Sequence, residues 1–144
     1  MIKFAYTILY VQDVAKAVRF YEEAFGLTRK FVTPENDYGE LSTGEITLSF
    51  AAITLAKSNL KDGFIESNRS NKSFGIEIGF TTDDVALTVN TAQAAGALIV
   101  EAPKTKPWGQ VVAYLRDPDG FLIAIQTAIQ TLRTVTFILQ SNKR

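Results

Sequence analysis

The chain has 144 residues, of which 47% are apolar and 21% are charged, a composition typical of one globular domain. Its 15 basic and 15 acidic residues balance, so no net field draws the chain towards nucleic acid or an anionic membrane. The sequence contains no histidine and no cysteine, which excludes serine–histidine and cysteine–histidine catalysis and thiolate metal ligands.

The chain also has no sequence feature typical of membrane insertion or secretion. Its longest apolar stretches fall far short of the roughly 20 residues that span a bilayer. The first residues do not have the apolar core of a secretory signal. A cysteine-free chain fits a reducing compartment. We therefore expect a cytoplasmic protein that binds neither membrane nor nucleic acid.

The first half of the chain begins with a strand followed by a helix. Residues 3–11 are rich in β-branched and aromatic side chains, which predicts the strand. Asp13 then occupies an N-cap position, apolar residues recur after it at helical spacing, and Gly26 supplies the stop. Further strands are predicted at residues 31–32, 40–42 and 45–50.

The same pattern returns about 71 positions later, which indicates an internal repeat. A strand is predicted at residues 76–82, and Asp84 is placed to cap a helix that ends at Gly96. Residues 117–120, Asp-Pro-Asp-Gly, suit a type I turn between two later strands. The strands of this half are predicted at residues 97–100, 111–116 and 121–126.

Each half is therefore a strand–helix–strand–strand–strand unit. We predict an α+β fold in which two βαβββ modules, at about residues 3–55 and 74–127, form a curved mixed sheet around a cleft. Both modules are expected to belong to a single domain that takes in the whole chain. The polar tract at about residues 56–73 is interpreted as a linker or mobile flap. Residues 128–144 form a predicted C-terminal extension with one extra strand at residues 134–139.

Two segments resemble the vicinal oxygen chelate superfamily, which includes glyoxalase I, extradiol dioxygenases, and fosfomycin- and bleomycin-resistance proteins. Residues 10–26, from Tyr-Val-Gln-Asp-Val to Ala-Phe-Gly, are similar to its opening segment. Residues 106–109, Lys-Pro-Trp-Gly, and residues 115–123 resemble its closing segment. The Trp-Gly pair is most similar to the bleomycin-resistance branch. The resemblance covers roughly residues 3–127 and implies the same paired-module fold.

Metal-dependent members of this superfamily commonly hold their metal on histidine and glutamate. The resemblance carries those ligand positions to Tyr6, Glu77, Ala124 and either Thr47 or Ser49. One carboxylate and a phenol fall short of the three or four good donors that such a site needs, and alanine supplies none. The resemblance therefore implies a cleft without a metal, and the sequence indicates no other cofactor.

Glu77 is the candidate catalytic base. Strand alternation places Glu77 on the face opposite Ile76, Ile78 and Phe80, and therefore towards the cleft if those three side chains face the helix. A carboxylate desolvated there could act as a general base or hold a cationic ligand. The alternative is that Glu77 pairs with a lysine or arginine across the sheet, or faces water.

Aromatic side chains supply most of the other candidate binding positions. Tyr6 and Tyr10 share a strand face, and Trp108 lies in a loop where its indole could stack on a ligand or anchor a subunit contact. For each of them, packing at the edge of the core is the alternative interpretation. The predicted ligand-binding set is Tyr6, Tyr10, Tyr38, Ser49, Glu77, Trp108, Tyr114 and Ala124.

Several functions remain open at this point. The main hypothesis, from the resemblance, is a metal-free protein that binds a small aromatic or amphipathic compound such as an antibiotic, and that forms a homodimer. The alternative is a lyase or isomerase of the same superfamily that uses Glu77 as general base. Such an enzyme would need phenols, amides or an arginine to stabilise the enolate. A third possibility is a partner domain whose cleft has lost its function.

Overall fold

Strands and helices alternate along the chain as two copies of one pattern. The computed structural model describes residues 1–128, so the extra strand expected at residues 134–139 lies outside the described residues. In chain order the elements are β1 (Tyr6–Val11), α1 (Val14–Phe25), β2 (Thr28–Val32), β3 (Tyr38–Ser42), β4 (Thr47–Ala52), α2 (Ile53–Asn59), β5 (Glu77–Thr81), α3 (Val85–Ala95), β6 (Leu98–Thr105), β7 (Val111–Arg116) and β8 (Leu122–Gln126).

The strands form two four-stranded mixed sheets with equivalent topologies. The first sheet has the order β1-β4-β3-β2 and the second has the order β5-β8-β7-β6. In each sheet the first and last strands of the module are parallel neighbours, and the other pairs are antiparallel. This arrangement confirms the predicted α+β fold of two βαβββ modules.

Both long helices begin and end where the sequence predicts. The side chain of Asp13 accepts a hydrogen bond from the backbone amide of Lys16 at 3.2 Å, and Asp84 accepts one from Leu87 at 3.0 Å. These carboxylates satisfy amides that have no partner inside the helix. Gly26 follows α1 with a φ of +66°, a left-handed conformation that glycine adopts without steric cost. No helix within residues 1–128 is both long and apolar enough to cross a membrane.

One continuous core joins the two modules. Helices α1 and α3 pack against each other, and each covers one face of its own sheet. The ring of Phe25 in α1 stacks on Phe80 of β5 with centroids 4.6 Å apart, which connects the first helix to the second sheet. The opposite face of each sheet, called the open face below, is not covered by α1 or α3. Candidate site residues therefore lie on the open faces and between the two sheets.

The tract interpreted as a linker or mobile flap begins with a helix. Helix α2 buries Ile53 and Ala56 against the first module. Further along, Arg69 donates hydrogen bonds to the carbonyl oxygens of Asp117, at 3.0 Å, and of Gly96. The sequence pattern missed α2 because seven residues with two buried positions are too short to show a helical period.

A buried carboxylate joins the first helix to the turn of the second module. The phenol of Tyr21, in α1, donates a hydrogen bond of 2.7 Å to Asp117, and both residues are 1% exposed. The other oxygen of Asp117 accepts from the amides of Asp119 and Phe121. Burial raises the pKa of Asp117 to about 6, although the hydrogen bond from Tyr21 opposes that shift.

This pKa predicts how stability changes with pH. Because the pKa of Asp117 in the folded protein exceeds the 3.8 of an unperturbed aspartate, the folded state binds more protons than the unfolded state between about pH 4 and pH 6. The free energy of unfolding should therefore fall as pH rises through this window, by about 1–3 kcal/mol. Asp119, whose pKa burial also raises, adds to the same trend.

Urea denaturation of the wild type and Asp117→Asn at several pH values checks this. Asp117→Asn keeps the size of the side chain but cannot ionise. The free energy of unfolding of the variant, minus that of the wild type, should therefore increase as pH rises from 4 to 6. Parallel pH profiles for the two proteins would show that Asp117 does not titrate in this range.

Candidate functional site

An open cleft of about 670 Å³ lies between the first sheet and strand β5 of the second. Eleven of its seventeen lining residues are apolar, and four of the others are threonines. Phe74 and Phe121 form one aromatic corner, with ring centroids 6.3 Å apart. The volume falls within the range of about 300–1,000 Å³ that is usual for small-molecule sites.

Glu77 contributes a carboxylate to the wall of this cleft. Along β5, Ile78 and Phe80 pack against the core, whereas Glu77, Gly79 and Thr81 are exposed. This is the alternation that the sequence predicts, except at Ile76, which precedes β5, is 73% exposed and lines the cleft instead of facing the helix. The carboxylate is more exposed than a desolvated base would be, because the cleft is open to solvent. A bound ligand would have to displace the water around it.

Of the eight candidate ligand-binding residues, all within the described part of the chain, Glu77 alone lines this cleft. Tyr6 is 57% exposed beside Thr47, and the ring of Tyr10 packs on Phe64 with centroids 4.8 Å apart. Trp108 is 41% exposed between β6 and β7. Its indole nitrogen donates a hydrogen bond of 2.9 Å to Gln110. The ligand-binding role of these aromatic residues stays a prediction.

A polar cluster on the open face of the first sheet contains two further candidates. The phenol of Tyr38 donates to Glu40 at 2.9 Å and lies 3.2 Å from the hydroxyl oxygen of Ser49. Ser49 is fully buried. Burial raises the pKa of Tyr38; the hydrogen bond with Ser49 lowers it, and the bond to Glu40 raises it further. Tyr38 is therefore a neutral hydrogen-bond donor at physiological pH.

Lys30 links this polar cluster to the cleft, and sequence analysis missed it. Its ammonium donates to the hydroxyl oxygen of Thr47 at 3.2 Å and lies 4.0 Å from a carboxylate oxygen of Glu40. Thr47 lines the same cleft as Glu77. Since Thr47 accepts from Lys30, its own hydroxyl proton remains available for another acceptor. A lysine on an edge strand carries no sequence signal for this role.

The strand register shows which residue of β4 corresponds to Ala124. Ser49 lies opposite the residue two positions after Tyr6, and Ala124 lies opposite the residue two positions after Glu77. The repeat therefore equates Ser49, rather than Thr47, with Ala124. Tyr114 pairs with Ala124 on the neighbouring strand β7, and Ala124 is fully buried.

The four positions to which the resemblance carries the superfamily's metal ligands do not suit a metal. They carry a phenol at Tyr6, a hydroxyl at Ser49, a carboxylate at Glu77 and a methyl group at Ala124. The Ser49 oxygen is already within hydrogen-bond distance of Tyr38. Metals in such sites need three or four strong donors. Nor do residues 1–128 contain any cluster of three or more acidic, histidine or cysteine side chains that could hold a metal.

The fold and the cleft together define a protein of paired βαβββ modules with a cleft of small-molecule size between them. A carboxylate and a hydroxyl that is hydrogen-bonded to an ammonium lie on the wall of one apolar cleft. Residues 3–125 match the Glyoxalase/Bleomycin resistance protein/Dioxygenase superfamily. The chain belongs to this superfamily, as the two sequence motifs predict. The finer assignment to the bleomycin-resistance branch stays a prediction.

Several relatives are named as enzymes. A probable lactoylglutathione lyase of Vibrio cholerae is 29% identical over 123 residues, with 83% of this chain and 86% of the relative covered. A lactoylglutathione lyase of Arabidopsis thaliana is 30% identical over 129 residues, and the chain spans 42% of its length. A glyoxalase-related enzyme from Fulvimarina pelagi has a similar fold, with a TM-score of 0.76, 19% identity and 89% of each chain covered.

These relatives overturn the main functional hypothesis. The prediction of a metal-free binding protein that sequesters a small compound is wrong, because the similar proteins are named lactoylglutathione lyases. The sequence favoured a binding protein because the metal ligands expected from the resemblance are missing. That absence does not exclude catalysis by the carboxylate that remains, Glu77. The alternative hypothesis, a lyase or isomerase, agrees better with these names.

Proposed function

We propose that this protein is a lyase or isomerase that moves a proton at a carbon next to a carbonyl group, with Glu77 as the general base. The observation that carries the proposal is the Glu77 carboxylate on the wall of a cleft large enough for a small molecule. The names of the relatives support the same class of reaction. A lactoyl group is an α-hydroxyacyl group, so the proposed substrates are α-hydroxyacyl thioesters and the isomeric thiol adducts of α-oxoaldehydes.

The proposed reaction begins with proton abstraction. Glu77 takes the proton from the carbon that bears the hydroxyl group, the C–H bond breaks, and its electron pair moves onto the thioester oxygen. The α-hydroxyl group then loses its proton and becomes the new carbonyl, the former thioester oxygen takes up a proton, and the neighbouring carbon takes up another. The product is the thiol adduct, which separates into the α-oxoaldehyde and the free thiol. The reverse sequence forms the thioester. Every proton in this scheme moves through Glu77 or solvent.

The enolate oxygen formed in this step needs a hydrogen-bond donor. We propose the hydroxyl of Thr47, because its oxygen accepts a hydrogen bond of 3.2 Å from the ammonium of Lys30. That contact leaves the hydroxyl proton of Thr47 available and makes it a stronger donor. The amide groups and arginine considered from the sequence are not needed for this role.

Turnover of thiol adducts tests the proposal. The substrates are the adducts that methylglyoxal and phenylglyoxal form with glutathione or with mercaptoethanol, and the thioester product is followed by its ultraviolet absorbance. The purified full-length chain should accelerate thioester formation from at least one adduct. If all four adducts react only at the uncatalysed rate, the proposed function is wrong.

We expect this activity to survive removal of metal ions. The residues at the four superfamily ligand positions do not fit a metal, so dialysis against EDTA should leave kcat/KM unchanged. Elemental analysis of the same sample should show less than one equivalent of any transition metal. A loss of activity that added zinc, nickel or manganese restores would show that the reaction depends on a metal held by other residues.

We further propose that the enzyme acts as a homodimer in the cytoplasm. Large exposed apolar side chains at the cleft support dimerisation, since a second copy of the chain could cover them. Phe4 is 71% exposed and Ile76 is 73% exposed. The cysteine-free composition supports a reducing compartment.

A further inference from the structure

The lining of the cleft favours one chemical class of ligand. Phe74 and Phe121 meet at an angle of 68°, and Ile8, Ile46 and Leu122 add aliphatic surface. A flat hydrophobic group can lie in such a corner and bury apolar area on more than one side. This lining suits a substrate with an aryl or branched alkyl substituent.

The charged side chains at and near the cleft favour ligands that carry no negative charge. Glu77 is negative and lines the cleft. Lys30 reaches the cleft only through Thr47, and Glu40, 4.0 Å from the ammonium, offsets its charge. Glu77, Glu40 and Lys30 together carry one net negative charge. A carboxylate on the ligand would therefore be repelled by Glu77, whereas an uncharged or cationic ligand would not.

We infer that the substrate is an uncharged or cationic aryl carbonyl compound, or its adduct with a small uncharged thiol, rather than an adduct of glutathione. This inference rests on the proposed function and specifies the substrate class of the same cleft. Glutathione carries more carboxylates than ammonium groups, so its adducts bring net negative charge to the wall that holds Glu77. The aryl group lies against Phe74 and Phe121, and the carbonyl oxygen lies towards Thr47.

A binding experiment tests the ligand class without any turnover. The probes are phenylacetamide, phenethylammonium and phenylacetate, which share one ring and differ in charge, and NMR titration gives each Kd. Phenylacetamide and phenethylammonium should bind about tenfold more tightly than phenylacetate. Equal or tighter binding of phenylacetate would overturn the inference.

Two variants locate this effect within the cleft. In Glu77→Gln the ratio of the Kd values for phenylacetate and phenethylammonium should fall towards one. In Phe74→Leu the Kd of all three ligands should rise. Phe74 lies outside the helices and strands and is not one of the buried core residues. Glu101→Gln removes a carboxylate from strand β6, which does not line the cleft, and should change none of the three constants. An unchanged charge preference in Glu77→Gln would overturn the role given to that carboxylate.

A turnover experiment separates this inference from the proposed function. The phenylglyoxal adduct of mercaptoethanol should have a kcat/KM about tenfold above that of the glutathione adduct. Preference for the glutathione adduct would overturn the substrate class and leave the proposed reaction standing. Turnover of neither adduct, together with the expected order of binding constants, would overturn the reaction and leave the ligand class standing.

Discussion

Replacing Glu77 with glutamine is expected to lower kcat for thioester formation by about 10²–10⁴-fold. Glutamine keeps the length and the hydrogen-bonding capacity of the side chain but cannot accept the proton. Ligand binding through the apolar wall should persist, so KM for an uncharged adduct should change far less than kcat. Steady-state kinetics on both proteins measures the two constants separately.

Glu101→Gln is the matched control for this variant. Glu101 lies on the second sheet, as Glu77 does, but its strand β6 is at the far edge and does not line the cleft. Its replacement should leave kcat unchanged. Turnover in deuterium oxide gives a second measurement, because a base that exchanges its proton with solvent puts deuterium at the hydroxyl-bearing carbon. Full activity in Glu77→Gln would remove Glu77 from the reaction.

The largest loss of stability from a single methyl group is expected for Gly120→Ala. Gly120 has a φ of +91°, and a Cβ there would lie 2.6 Å from the backbone carbon and oxygen of Asn68. The backbone strain costs about 1–3 kcal/mol. Displacing the chain at Asn68 adds about 1–3 kcal/mol, because the contact involves backbone atoms. It would also disturb the hydrogen bond of 2.8 Å that the Asn68 carbonyl accepts from Arg116.

Gly109→Ala is the control that introduces backbone strain without a steric clash. Gly109 has nearly the same φ, +90°, and a Cβ there would meet no atom within 4 Å. Both variants should lower the free energy of unfolding in urea, and Gly120→Ala should lower it by about 1–3 kcal/mol more. Equal losses in the two variants would show that the close approach of Asn68 to Gly120 does not contribute to stability.

The contact at Gly120 also bears on the cleft. Residue 121 follows directly and supplies one ring of the aromatic corner, and Phe74 supplies the other. The bonds from Arg69 and Arg116 attach the segment before Phe74 to the turn that contains Gly120. A tract that composition indicates to be a flap is thus fixed where it can support the cleft.

Local sequence signals were sufficient for the helices and for most of the strands. Asp13 and Gly26 delimit α1 because a side-chain cap and a left-handed glycine act on the backbone within a few residues. The alternation in β5 likewise places Glu77 opposite the core without knowledge of any other strand. These features depend on neighbours in the sequence, so one sequence determines them.

The contacts that surround the cleft and support the fold join residues that are distant in the sequence. Lys30 meets Thr47 across seventeen positions, and Tyr21 meets Asp117 across ninety-six. Tyr10, a ligand-binding candidate by strand alternation, packs on Phe64, a residue in a tract without periodic pattern. Periodicity gives the face of a strand on which a side chain lies, but not the segment that covers that face.

The repeated module, the superfamily and the strand face on which Glu77 lies all follow from the sequence. The replacement of the metal-ligand residues stays a prediction from the resemblance. Tertiary structure alone decided that Glu77 and Thr47 line one cleft, that Lys30 contacts Thr47, and that the linker packs against the turn at Gly120. The physical reason is that capping, strand alternation and turns arise from nearby residues, whereas a binding cleft forms only when separate sheets pack together.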